Sequence, residues 1–236
     1  FRRAAYWIEF RRVAYWIEFR RAFENRSTGG VLYRTGVQIK HNGNKTMKTT
    51  KQILVGGVAV GGGASVKIQS MTTTKTADVE KTVEQISRLE NAGCEIVRVA
   101  ISDEADAAAL KKVVEKIRLP LVADIHFSPK LAVQAIENGA DKVRINPGNI
   151  GGEKEIKYVA DCVKAHKIPV RVGSNTGSIE KNFLEKYGKN EYSLVESALY
   201  NVGILEKFGV NDIAISVKAS SVPLTVKAYR LLSQKT

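Results

Sequence analysis

Four cations, Arg98, Arg144, Arg171 and Lys218, stand near the C-terminal ends of short apolar runs with β-strand character. A guanidinium is a planar fork of donors that matches phosphate oxygens, and it stays charged at any working pH. One such residue alone is more often a salt-bridge partner, and Asp124 can absorb one cation in that way but not four. The spacing therefore points to a doubly phosphorylated or diphosphate ligand. Asn146, Asn149, Asn175, Ser178 and Ser220 are the expected neutral donors around it. Asp124 and His126 lie two apart, so on one strand they point to the same side. Together they can orient a hydroxyl or shuttle a proton, and the alternative for His126 is a hydrogen-bonded structural histidine. Met71 and Thr72 are expected to line the same pocket. His166 falls in a helix-to-strand loop and is expected to be solvated. Cys94 and Cys162 are far apart, form no CxxC or Cys/His cluster, and read as packing residues that carry no metal signature.

These residues need elements to position them. From Val66 onward, β-branched runs alternate with helical patterns. The expected strands are 66–72, 95–101, 120–127, 141–147, 169–175 and 212–219. The expected helices between them are 78–93, 104–119, 129–140, 154–167 and 194–210. Strands and helices that alternate at this spacing imply a parallel sheet with helical crossovers. Each strand is apolar through its middle and polar near its end, which places the polar ends at one mouth. That is the pattern of a (β/α)8 TIM barrel, whereas an open sheet gathers such groups at a single crevice. Only six units are visible, so the expected fold is an incomplete barrel. The run "ILVGGVAVGGGASVKI" (53–68) has neither a GxGxxG nor a Walker pattern. It reads as a β-hairpin turning at Gly61–Gly63, placed on the barrel floor.

Charge is unevenly divided. Of a net +13 on 236 residues, residues 1–46 hold ten Lys/Arg and three Asp/Glu, and residues 47–236 hold 27 and 21. The surplus of six charges on the longer part suits an anionic small molecule as well as it suits nucleic acid. "FRRAAYWIE" (1–9) and "FRRVAYWIE" (10–18) form a near-perfect nine-residue repeat. The repeat can be read as a basic amphipathic helix lying on a membrane or as a translated linker, and the second reading is preferred. The working protein is then expected to begin at Met47, with residues 1–46 a non-native or disordered leader. No run of about 18 apolar residues suggests a membrane span, and the cysteine usage suits a reducing, cytoplasmic setting.

The motifs "VKIQSMTTT", "AGCEIVRVA", "LVADIHF", "DKVRINPGNIG", "PVRVGSNTGS" and "ISVKASSVPLTVKAYRLL" occur in this order. Together they resemble the N-terminal barrel of the 4-hydroxy-3-methylbut-2-en-1-yl diphosphate synthases, over about residues 48–236. The resemblance implies an oxidoreductase of the non-mevalonate isoprenoid route. Its reaction is the reductive ring opening of 2-C-methyl-D-erythritol 2,4-cyclodiphosphate to 4-hydroxy-3-methylbut-2-enyl diphosphate. It implies substrate binding by Arg98, Arg144, Arg171 and Lys218, with Asn146, Asn175 and Ser220 nearby, and Asp124 and His126 as the catalytic pair. It also implies a [4Fe–4S] cluster in a C-terminal domain, ferredoxin or flavodoxin as electron donor, and a homodimer. The cluster ligands of that domain are not matched by Cys94 or Cys162, so the chain is expected to bind substrate without reducing it. Two other readings stand beside this one: a pterin- or phosphate-binding transferase barrel, and a nucleic-acid-binding protein driven by the basic leader.

Overall fold

Alternation within each strand decides which residues face helices and which face the interior. The computed structural model describes residues 5–6 and 50–236. Within residues 50–236, a hairpin of β2 (Ile53–Val55) and β3 (Val58–Val60) leads. After it come β4 (Gln69–Met71), α1 (Val79–Asn91), β5 (Ile96–Ile101), α2 (Glu104–Val114), β6 (Leu121–Ile125) and α3 (Pro129–Glu137). Next are β7 (Lys142–Ile145), the single turn α4 (Pro147–Ile150), α5 (Glu153–His166) and β8 (Val170–Asn175). The chain continues through α6 (Lys181–Tyr187), α7 (Glu191–Lys207), β9 (Ile213–Lys218) and α8 (Val222–Lys235). A two-residue strand, β1 (Ala5–Tyr6), pairs in parallel with β9. The expectation for the rest of the leader lies outside the described residues.

Strands β4 to β9 pair in parallel in chain order, with β1 beyond β9. The order contains no reversal, so there is no switch point of the kind that makes a crevice in a doubly wound sheet. Val97, Val99, Ile125, Val143, Val172 and Ile215 are buried in one core with the helices. The other parity of the same strands carries Arg98, Asp124, Arg144 and Arg171, all on the opposite face. Helices thus cover one face of a curled sheet and polar groups occupy the other, which is an incomplete α/β barrel as expected. Each fully buried aliphatic side chain in the outer layer contributes roughly 1.5–3 kcal/mol.

Helix boundaries follow from caps. Asp78 accepts from the Lys81 amide at the start of α1, and Asp103 accepts from the Asp106 amide at the start of α2. Ser128 and Pro129 open α3, and Asn190 with Ser193 forms a reciprocal capping box at α7. These side chains satisfy amides that a helix start leaves without partners. Two helices were not anticipated, α4 and α6. The expected strand 141–147 ends instead at Ile145, because Pro147 fits the first turn of a helix and cannot donate to a ladder.

The hairpin differs from expectation in its turn and agrees in its place. Val55 pairs with Val58, so the chain reverses at Gly56–Gly57, not at Gly61–Gly63. Both turn glycines have positive φ (51° and 85°), the requirement of a two-residue primed turn. Gly61–Gly63 instead redirect the chain toward β4. The apolar side of the hairpin, Ile53, Val55 and Val60, packs with Ile96, Val122 and Ala214 beneath the polar row. It closes the N-terminal end of the sheet, as a floor should.

Candidate active site

The polar row is built by strand register. Arg144 on β7 is in register with Asp124 on β6 and with Arg171 on β8. Asp124 Oδ1 accepts from Arg144 Nη1 at 3.0 Å, and its Oδ2 lies 3.5 Å from Arg98 Nε. His126 Nε2 is 3.9 Å from Oδ2, beyond hydrogen-bonding range but on the same side as Asp124. The Asp124 and Arg98 side chains are 3% and 7% exposed, while His126 is 51% exposed and therefore reachable from solvent. One carboxylate between two guanidinium groups leaves this trio with a net positive charge, in a buried setting where screening is weak. Arg98 also donates to the sulfur of Met71, at 3.0 Å from Nη2.

Arg171 takes a different partner. Its Nε donates to Ser216 Oγ on β9 at 2.9 Å. Higher on the same two strands, Asn175 and Lys218 are in register, and Lys218 is exposed at the mouth. Ser220 follows, also exposed, at the start of the loop that Ser221 closes by capping α8. The structure therefore brings Arg98, Arg144, Asp124 and His126 together, sets Arg171 beside them, and holds Lys218, Asn175 and Ser220 nearer the rim. Asn146 is buried, and its Oδ1, like Glu180 Oε1 and Asn201 Oδ1, borders the place a Cβ on Gly148 would take.

The loop after β4 is anchored by a residue the sequence analysis missed. Buried Asp106 accepts from Ala77 N at 2.8 Å and from Ser102 N at 3.1 Å, tying two loops of the mouth together. Thr76 Oγ1 adds a 2.6 Å bond to Ala100 O. Met71 stands at Arg98, whereas Thr72 is buried. Ser178 shapes its own loop, donating to Asn175 O at 3.2 Å. His166 is the last residue of α5 and not a loop residue, although it is exposed; its Nδ1 lies 3.0 Å from Cys162 O.

Three more residues of the row were overlooked although strand parity marks them. Lys142 lies two before Arg144, Gly173 two after Arg171, and Ser216 two before Lys218, so all face inward. Lys142 is fully buried one step below Arg144. Gly173 matters by what it lacks. A Cβ there would stand 2.8 Å from Arg144 Nε and 2.9 Å from Nη2, so the guanidinium lies against the β8 backbone only because no side chain is present.

The residues present do not fit an iron–sulfur cluster. Cys94 is buried, its thiol donates to Ile96 O at 3.0 Å, and burial pushes its pKa up. Cys162 is half-buried on α5, and burial raises its thiol pKa as well. Among the described residues, no three His, Cys, Asp or Glu side chains gather to hold a metal. A groove of about 650 Å³ lies between α6, α7 and α8, lined by Phe183, Leu199, Tyr200 and Ile204. It is in the outer layer and contains none of the predicted residues. No helix among the described residues is long and apolar enough to cross a membrane.

Solved structures with this arrangement include the dihydropteroate synthase of Yersinia pestis (TM-score 0.54, 9% identity, covering 78% of this chain and 70% of that one). A truncated 3-deoxy-D-arabino-heptulosonate 7-phosphate synthase from Thermotoga maritima gives a TM-score of 0.56 at 14% identity, over 77% and 64% of the two chains. At such identity the likeness shows the fold alone. Sequence relatives are much nearer. A protein of Caldanaerobacter subterraneus subsp. tengcongensis named 4-hydroxy-3-methylbut-2-en-1-yl diphosphate synthase (flavodoxin) is 54% identical over 192 residues, 81% of this chain and 54% of its own. A protein of the same name from Caldicellulosiruptor saccharolyticus is 54% identical over 188 residues, 79% of this chain and 54% of its own. The chain spans about half the length of the curated relatives it matches. The family model described as the GcpE TIM-barrel domain matches residues 50–236, which hold strands β4 to β9, the floor hairpin and the arginine row. The chain belongs to the GcpE TIM-barrel domain family.

Proposed function

We propose that residues 47–236 form the substrate-binding barrel of a 4-hydroxy-3-methylbut-2-en-1-yl diphosphate synthase. In this reading the polar row holds 2-C-methyl-D-erythritol 2,4-cyclodiphosphate for reductive ring opening to 4-hydroxy-3-methylbut-2-enyl diphosphate. The observation that carries it is the register of Asp124, Arg144 and Arg171 on three adjacent strands, with Arg98 on the far side of Asp124. Arg144 and Arg171 receive the diphosphate, Lys218 meets it at the rim, and Asn175 and Ser220 add neutral donors. Asp124 orients Arg98 and Arg144 before ligand arrives, so their cost of ordering is met in folding. His126, half-exposed beside Asp124, is placed to move a proton at a ligand oxygen.

Among the described residues, no set of side chains gathers to hold a metal that could carry the reducing electrons. The two relatives above carry flavodoxin in their names, and the same class of donor is proposed for the whole protein, with a homodimer and a cytoplasmic setting. The test is calorimetry with the cyclic diphosphate. Arg144→Ala removes charge-assisted bonds worth roughly 1.5–3 kcal/mol each, so affinity should fall by about 10- to 100-fold. Unchanged affinity would remove Arg144 from the site.

A further inference from the structure

Asn146 directly follows β7 beside the arginine row, yet it is only 6% exposed and its Oδ1 is buried with no hydrogen-bond partner. Glu180 Oε2 and Asn201 Oδ1 are buried in the same condition. The three side chains meet around Gly148. Glu180 Oε1, Asn201 Oδ1 and Asn146 Oδ1 lie 3.1, 3.5 and 3.6 Å from the place a Cβ on Gly148 would take. The donor that reaches Glu180 is an amide, Asn201 Nδ2, at 2.8 Å from Oε1. As it stands, the cluster has acceptors in excess and too few donors, which a folded interior tolerates rarely.

Asn201 cannot supply the missing donor. Its Nδ2 already donates to Glu180 Oε1 and to Ser197 O, each at 2.8 Å, which fixes its oxygen toward the cluster. A carboxylate has nothing to donate. Asn146 is the remaining amide, and its Nδ2 finds no acceptor among the described residues. A half-turn of its terminal bond exchanges nitrogen and oxygen within the same volume, and the hydrogen-bond count decides between the two orientations.

We infer that Glu180 and Asn201 are positioning residues that hold the Asn146 carboxamide with its nitrogen inward, so that Asn146 presents its oxygen to the mouth. An oxygen there accepts from a ligand hydroxyl and repels a phosphate oxygen. Asn146 is then a reader of the hydroxylated part of the ligand and not a donor to its diphosphate. This consequence for the ligand rests on the anionic-ligand reading above; the orientation of the amide does not.

The test uses the full chain. Asn146→Asp sets a second carboxylate against Glu180, so its Tm should fall by about 4–8 °C. The loss should be larger at about pH 8 than at about pH 5, where a protonated carboxyl can donate. Glu180→Gln in the Asn146→Asp background returns a donor to the cluster and should restore most of the Tm. In 15N-labelled wild-type protein the Asn146 side-chain amide protons should exchange slowly, a reading that survives if a variant fails to fold. No pH dependence with no rescue, or fast exchange of those protons, would overturn the orientation. So would a wild-type Tm that rises with added KCl or MgCl2 but is unmoved in Glu180→Gln, because a cation would then fill the cluster. For the ligand, Asn146→Ala should leave inorganic pyrophosphate binding within about twofold and weaken the cyclic diphosphate about tenfold. Equal weakening of both would make Asn146 a phosphate donor. Absence of any binding to the wild type would count against the anionic-ligand reading and leave the stability results standing.

Discussion

Arg144 shows how one side chain depends on its neighbours' chemistry on both sides. Nη1 is fixed by Asp124 on β6, while Nε and Nη2 lie against the bare backbone of Gly173 on β8. Gly173→Ala adds a single methyl at a point where the guanidinium stands closer than van der Waals contact allows. The expected outcome is a displaced Arg144 and an approximately tenfold loss of affinity for the cyclic diphosphate, one charge-assisted bond's worth. The helical packing on the outer parity of β8 should be unchanged, so Tm should move by less than about 4 °C. Calorimetry and thermal unfolding read the two effects separately. A variant with wild-type affinity would show that Arg144 reaches its ligand from another rotamer. The cations, Asp124 and His126 were legible because charged residues at the ends of apolar runs are conspicuous. Gly173, Ser216 and Lys142 follow the same parity, but a small residue draws no notice until the guanidinium beside it is seen. Asp106, Glu180 and Asn201 were illegible for a different reason. They act across contacts between elements distant in sequence, and no local pattern marks such contacts.

Among the elements, the floor hairpin has a titratable partner. Asp141, just before β7, accepts from Leu121 N at 2.8 Å and faces the Gly56 turn, where its Oδ1 lies 2.7 Å from the place of a Cβ. Burial pushes its pKa up, and the Leu121 amide only partly offsets this. A carboxyl with a folded-state pKa above its unfolded value binds protons more tightly when folded. Its contribution to stability is therefore full below the unfolded pKa and is lost as pH rises through the folded one. Asp141→Asn keeps an acceptor for Leu121 N and cannot ionise. The variant should match the wild type near pH 4 and be the more stable of the two near neutrality, about pH 7, as seen in parallel urea titrations. A wild type that gains stability over this interval relative to Asp141→Asn would refute the assignment. The strands and most helices were readable from periodicity and caps, since two-sided strands and amphipathic helices leave strong local patterns. The turn of the hairpin was misplaced because two glycine runs compete, and a two-residue primed turn at Gly56–Gly57 fits the strand pairing that only the fold reveals. The single turn at Pro147–Ile150 was hidden inside a motif that reads as a strand end.

For the whole molecule, the question is how much of the chain the site requires. Every residue of the polar row, its rim and the floor lies between Ile53 and Ser220. A chain beginning at Met47 should therefore bind the cyclic diphosphate with unchanged affinity, within about twofold. Its Tm reports on the short pairing of Ala5–Tyr6 with β9. Two strand residues contribute little, so a change below about 3 °C is expected. A loss of affinity on removing the leader would place part of the binding surface in it.

Register has a further consequence, for the fidelity of folding. Arg144 and Arg171 face one another across β7 and β8, and Asp124 stands on the other side of Arg144. Side chains alternate with a period of two, so slipping either strand by one residue would drive an arginine into the apolar layer beneath the helices. A guanidinium stranded there without a counter-charge is among the costliest errors a core can hold. Misaligned chains are thus penalised by the same groups that would grip the ligand, and the arginines proofread the sheet before any ligand reaches it.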